Sequence, residues 1–400
     1  MTDAPAGPLP GAVTPAARRT GSTDAAGADG SFRPMSGLLL RLLGGDEDET
    51  PRAVLRRLRS RAWTMPPLLL SLLAREGVPL GSGSADELRR ARERAAVYDA
   101  ILASVAGTGV RPLKGPSLAR WYPADVVRPV GDLDLVAPDE PALWDVVRRL
   151  LREHPLEHVE LAALWAQGTD HLIVGVYWPS ADPLLDRGLN VEVSTFGYAG
   201  DGSAVPLRAG LPGDQTAADL LALAEERFQR EFAVKDLLDV ALVLTSAEAP
   251  DLADLVVTAA EYRLAPELGE LTDRTADVLG LPALLPERVR TALADAAAWE
   301  RDRRTRHTAQ QPETGEVDGL SVMQRLDAGL PLHGLPLGDL GARPWPVSRY
   351  ERFGDELVLR TPIGDFLLVG SEPVDPRRPA AVSAALRRKD TACEKERSGE

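Results

Sequence analysis

A chain of 400 residues is too long for one small core and implies two or three folded units with tails. A net charge of −14 argues against a broad, sequence-independent grip on nucleic acid, although one local basic groove stays open to it, and an aromatic content of 5% argues against a base-stacking surface. The one cysteine, Cys393, excludes an internal disulfide and a cysteine zinc cluster and fits a reducing cytoplasm.

Residues 1–35 are rich in Pro, Ala, Gly, Thr and Ser, lack the apolar centre of a signal peptide and read as a disordered leader. Residues 36–106 form an N-terminal helical segment. ETPRAVLRRLRSRAW and PPLLLSLLAREG have helical spacing, and SADELRRARERAAVYDAILASVAG is a longer helix with Ser84 and Glu87 as a capping box and Gly107 as its stop. Residues 107–214 mix strands and helices. GVRPLKG reads as a short strand and PSLARWYP as a helix opened by Pro116 and closed before Pro123. RPVGDLDLVAP follows as a core strand, Glu140 to Glu153 as an amphipathic helix, and DHLIVGVYW and LNVEVSTFG as further strands. Residues 215–305 are helical in pattern. Residues 306–372 combine a polar linker with DELVLRTPIGDFLLVG, a hairpin around a TPIG turn, and residues 373–400 read as a flexible tail. The longest apolar patches, LLLSLLA and LLDVALVL, fall far short of the roughly 20 residues of a membrane span.

Two acids inside an otherwise apolar strand need a reason. Side chains alternate faces along a strand, so Asp132 and Asp134 point one way and Leu133 and Leu135 the other. Like charges at that spacing raise each other's proton affinity unless a cation neutralises them, and a hard divalent ion suits the pair. Glu192, between Val191 and Val193, is a third acid facing away from apolar neighbours. Three acids on adjacent strands can hold Mg2+ or Mn2+ against phosphate oxygens. LKGPS places Lys114, Gly115 and Ser117 where a strand runs into a helix start, a place that favours anions, and Arg128 adds a positive charge four residues before Asp132.

GVRPLKGPSLARWYPADVVRPVGDLDLV resembles the uncharacterised nucleotidyltransferase family within the DNA polymerase β-like superfamily. The likeness rests on Leu113, Lys114, Gly115, Tyr122, Pro123, Arg128, Pro129, Asp132 and Asp134, covers about 30 residues closely, and is consistent with the element order through Glu192. The resemblance implies an α+β fold, a small mixed-sheet nucleotidyltransferase palm flanked by an N-terminal helical segment and a C-terminal helical domain. It implies transfer of a nucleoside monophosphate from a metal-bound nucleoside triphosphate to an acceptor, a small molecule, protein or RNA, with release of pyrophosphate. In that comparison Asp132, Asp134 and Glu192 hold the metal, Lys114, Gly115, Ser117 and Arg128 hold the triphosphate, and Lys235 with Asp236 in KDLLDVALVL are further site residues. The chain departs from the superfamily in having Gly-Pro-Ser for Gly-Ser, and Glu192 where relatives often have Asp. Two alternatives stand beside this: a sugar transferase using Asp-x-Asp on a nucleotide-sugar, and a non-catalytic nucleotide-binding protein of the same fold. HPLEH, His154 to His158, matches one zinc-peptidase pattern, but Pro155 breaks the helix that the pattern needs.

Overall fold

Strands rich in Val, Leu and Ile pair edge to edge because their branched and apolar side chains cover a pleated surface well. In the computed structural model, which describes residues 32–44, 49–310, 320–370 and 373–398, nine of them form one mixed sheet in the order β1-β2-β5-β4-β3-β6-β9-β8-β7. The strands are β1 Arg111–Leu113, β2 Leu133–Val136, β3 His158–Ala166, β4 Thr169–Trp178, β5 Leu189–Ser194, β6 Leu332–Pro336, β7 Arg349–Phe353, β8 Glu356–Thr361 and β9 Gly364–Val369. β2 and β5 run parallel. β3 and β4 form a hairpin whose turn residues, Gln167 and Gly168, both have left-handed backbones (φ 54 and 78), the geometry that follows the twist of paired strands.

The chain divides into two units, neither contiguous in sequence: Met1–Asp99, Leu113–Gly131 and Tyr198–Gln310 make one, and Ala100–Pro112, Asp132–Gly197 and Gln311–Glu400 the other. The sheet belongs to the second. One of its faces is apolar across four strands: Leu133, Val191, Val176 and Val159 stand in one row and Leu135, Val193, Val174 and Leu161 in the next, all buried. A helix, Glu140–Glu153, buries Leu143, Trp144, Val146, Val147 and Leu150; Asp139 caps its start by accepting from the Ala142 amide. At the far end of the sheet Val358, Leu367 and Val369 pack with Val382 and Leu386. The last two belong to a helix, Arg377–Ser398, which stands where the sequence predicts a flexible tail. Arg360, nearly buried, ties this helix to the sheet through Asp390 on the helix and Glu351 and Asp365 on the strands. The expected C-terminal hairpin is β8 and β9, joined to the main sheet through β6, which pairs with both β3 and β9, while β7 pairs with β8 on its other side.

The helical unit holds α1 Ser36–Leu43, α2 Pro51–Arg61, α3 Pro66–Arg75, the first part of α4 Ser82–Val105, α5 Gly115–Ala119, α7 Gln215–Glu225, α8 Val234–Leu244, α9 Leu252–Glu261, α10 Ala265–Leu279 and α11 Glu287–Gln310. The helix Glu140–Glu153 is then α6, and the sheet unit adds α12 Val322–Asp327 and α13 Arg377–Ser398. The expected disordered leader, residues 1–35, lies outside the described residues except at its end, where Phe32 is buried and its amide donates to Thr245 Oγ1 at 2.8 Å. α4 begins two residues before the predicted cap, so Ser84 lies inside the helix, and Glu87 pairs with Arg59 of α2 at 2.6 Å. Leu68, Leu69, Leu72 and Leu73 of α3 pack with Leu238 and Leu242 of α8, Tyr122 and Val126.

Beside that core sits an ion pair. Arg128 and Asp239 have side chains 2% and 0% exposed, their charged atoms are 2.7 Å apart, and the Tyr122 hydroxyl donates to Asp239 at 2.8 Å. Arg128 also donates to the Gly115 and Pro129 carbonyls, so one guanidinium fastens three chain segments. Asp239→Ala leaves that cation buried without its partner and is expected to cost roughly 3–5 kcal/mol of stability. Urea unfolding followed by circular dichroism checks this; a loss below about 1 kcal/mol, the range of a surface pair, would deny the pair an anchoring role.

Candidate active site

In the sheet unit the parallel register sets Asp134 directly beside Glu192. Gly175 of β4 is opposite Glu192 and Glu160 of β3 is opposite Gly175, so one row on the polar face reads Asp134, Glu192, Gly175, Glu160. Asp132 immediately precedes β2, two residues from Asp134, and is exposed, as are Glu192 and Glu160. Tyr177 fills the gap at Gly175. A Cβ built at that glycine would lie 3.0 Å from the tyrosine ring, and the Tyr177 hydroxyl donates to Glu160 at 2.9 Å. Burial, then the bond to and charge of Glu160, then the charges of Glu192 and Asp132 push the Tyr177 hydroxyl up to about 12. His158 stacks on the Tyr177 ring at 4.1 Å and has Glu160 at 3.6 Å. Among the described residues no three Asp, Glu, His or Cys side chains are gathered as a ready-made metal cage.

In the helical unit the Lys114 loop is built around a buried carboxylate. Lys114 has a left-handed backbone (φ 59, ψ −138), rare for a side chain with a Cβ and costing on the order of 1–3 kcal/mol. Its amide donates to Asp219 Oδ1 at 2.7 Å, and Ser117 Oγ and Gln215 Nε2 reach the same oxygen at 2.8 and 3.1 Å. Asp219 Oδ2 is buried with no hydrogen-bond partner among the described residues. Desolvation therefore dominates and, against the three donors and Arg128, pushes Asp219 up to about 6. The amide and hydroxyl that the sequence suggests for phosphate thus meet a carboxylate, and α5, five residues long, supplies little helix dipole.

The cationic part of the loop lies elsewhere. Lys114 Nζ is 2.6 Å from Glu226, whose other oxygen is 3.1 Å from Arg230; Arg230 is 2.6 Å from Asp236, and Asp236 is 3.8 Å from Lys235. Lys114, Arg230 and Lys235 against Glu226 and Asp236 is three cations to two carboxylates, so this alternating chain has one positive charge in excess. Burial opposes ionisation of both acids, but Lys114 and Arg230 hold Glu226 below the usual carboxylate range, and Arg230 and Lys235 do the same for Asp236.

Asp134 and Glu192 are thus brought together with Asp132 close in sequence, and Lys114 and Lys235 are the two ends of one charge chain. Arg128, expected as a phosphate contact, is instead the buried partner of Asp239. Residues the sequence reading passed over are Glu160 and Tyr177 on the sheet, and Asp219, Glu226 and Arg230 among the helices. Asp219, a lone acid in TAADLLALA, and Asp239, set inside the apolar LLDVALVL, carry a sequence signal that could have marked them. His154 stacks on Trp178 and His158 lies on β3, so HPLEH forms no helical ligand pair. Among the described residues no helix is long and apolar enough to cross a membrane. No protein-family model, curated protein or solved structure matches the chain.

Asp219 makes stability depend on pH. Its folded carboxyl ionises near 6 and an unfolded one near about 3.9, so the folded state binds the extra proton between those values. The stabilising contribution is full below about pH 4 and lost as pH rises through about 6, a change on the order of 3 kcal/mol in all. Asp219→Asn, which cannot ionise, is expected to lack that component in urea unfolding at pH 4.5 and pH 7.5. The same pH response in variant and wild type would refute the assignment.

Proposed function

We propose that the chain is a metal-dependent nucleotidyltransferase, moving a nucleoside monophosphate from a nucleoside triphosphate to an acceptor hydroxyl and releasing pyrophosphate. The observation that carries the proposal is the side-by-side register of Asp134 and Glu192 on parallel strands, with Asp132 two residues away. The donor set suits Mg2+ or Mn2+: carboxylate oxygens are hard ligands, and magnesium in phosphoryl-transfer sites is commonly held by one or two carboxylates plus the substrate's own phosphates. A preassembled cage of protein ligands is not required for that mode. When bound, the metal supplies charge neutralisation on the transferring phosphoryl group and acidifies an attacking hydroxyl.

The chain's own residues divide the work. Asp132, Asp134 and Glu192 supply the negative charge that holds the cation, and Glu192 polarises the acceptor hydroxyl. Within the helical unit, Lys114 and Lys235, with Arg230 between them in one chain of ion pairs, are cations of a kind that suits phosphate oxygens. Gly115 and Ser117 shape the loop that carries Lys114. Arg128, buried on Asp239 and bonded to the Gly115 carbonyl, acts as a positioning residue. A cytoplasmic setting agrees with this chemistry, which draws on cellular triphosphates.

Binding of ATP, GTP, CTP, UTP and UDP-glucose to the full chain across a magnesium titration tests the proposal. One triphosphate is expected to bind in a metal-dependent way, and Asp132→Asn combined with Asp134→Asn is expected to weaken it tenfold or more, about 1.4 kcal/mol at least, with the circular dichroism spectrum unchanged. Unchanged binding in that variant would remove the site, and a preference for UDP-glucose would move the assignment to sugar transfer.

A further inference from the structure

The last turns of α11 carry Arg303, Arg306, His307 and Gln310 at i, i+3, i+4 and i+7, a spacing that puts them on one helix face. With Arg263 and the loop around Ser203 they wall a cleft of about 410 Å³, and none of the described residues lining it is acidic. In a chain of net charge −14, a cleft with three arginines and no lining carboxylate runs against the average composition.

The charges beneath it are arranged to fix the wall. Glu300, with a side chain 2% exposed, accepts from Arg263 at 2.9 Å and from Arg304 at 3.0 Å, and Arg304 reaches Glu267 at 2.6 Å. These inner pairs hold Arg263, whose backbone is left-handed at φ 62. The outer guanidinia are held less firmly. Arg303 lies over the Trp299 ring at 5.4 Å, and Arg306 pairs with Asp302 one turn away at 2.7 Å, both side chains more than half exposed. An exposed pair of that kind has little net strength and exchanges readily for another anion. Arg263, Arg303, Arg304 and Arg306 against Glu267, Glu300 and Asp302 leave one positive charge before His307 is counted.

We propose that this cleft is a binding site for a phosphate-bearing small molecule, with Arg303 and Arg306 as its principal contacts and Arg263 as the fixed wall. Guanidinium forks match phosphate oxygens in pairs, and the volume lies in the range of small-ligand pockets. The C-terminal end of α11 opposes an anion through its dipole, which is why the side-chain cations must carry the binding. The site lies within the helical unit and does not rest on nucleotidyl transfer.

The test is calorimetric titration of inorganic phosphate at low ionic strength into the full chain carrying Lys114→Ala, so that phosphate at Lys114 does not contribute. Saturable binding is expected. Adding Arg303→Ala and Arg306→Ala, both at exposed positions, is expected to weaken it about tenfold or more with an unchanged circular dichroism spectrum. Glycerol 3-phosphate is expected to respond to the same pair of substitutions. Absence of saturable phosphate binding, or equal affinity with and without the two arginines, would overturn the proposal, whatever the magnesium titration shows at Asp132 and Asp134.

Discussion

Two carboxylates set side by side on a parallel ladder repel each other, and the strands hold them there because their other face is buried. Like charges opposite one another in a sheet cost up to about 1 kcal/mol. Burying a Leu or Val side chain is worth roughly 1.5–3 kcal/mol, and Leu133, Leu135, Val191 and Val193 are all buried behind Asp134 and Glu192. The apolar face therefore sets the register, and the acids follow. A one-residue slip of either strand would relieve the repulsion only by turning that strand's core pair, Leu133 and Leu135 or Val191 and Val193, to water. Gly175 extends the same logic one strand further, since its missing Cβ lets Tyr177 lie across the row with its hydroxyl at Glu160.

The helical unit handles buried acids in two ways. Asp239 has a full counter-charge in Arg128, with Tyr122 adding a hydrogen bond. Asp219 has only neutral donors within hydrogen-bond reach, all on one oxygen, and so its proton affinity rises. Both carboxylates organise the segment that carries Lys114: Asp219 through the Lys114 amide, and Asp239 through Arg128 and the Gly115 carbonyl. A strained lysine backbone between these two anchors is what an over-determined loop looks like.

Local pattern carried much of this structure and long-range pairing did not. The alternation in GDLDLV and LNVEVS revealed which acids share a face, and the amphipathic run from about Glu140 to Glu153 marked α6. β3 was passed over because HVELAALWA mixes a polar start with alanines of weak strand preference. Residues 332–369 showed their hairpin, but no local feature of LHGLP indicates that it joins β9 to β3 across the sheet. The buried role of Arg128 was equally hidden. It depends on Asp239, 111 positions later, and a charged residue near a motif looks the same in sequence whether it meets substrate or a core carboxylate.

Because each unit is assembled from three separate stretches, the chain passes from one to the other at residues 99, 112, 131, 197 and 310. No single cut releases either unit whole. On the ribosome, the helical unit cannot close until α11 has emerged, and the sheet stays open at β3 until β6 arrives, more than 160 residues after β3 itself. For that interval the apolar rows of Leu133 and Val191 depend on an unfinished sheet, so the nascent protein is more exposed to mispairing than its finished size suggests.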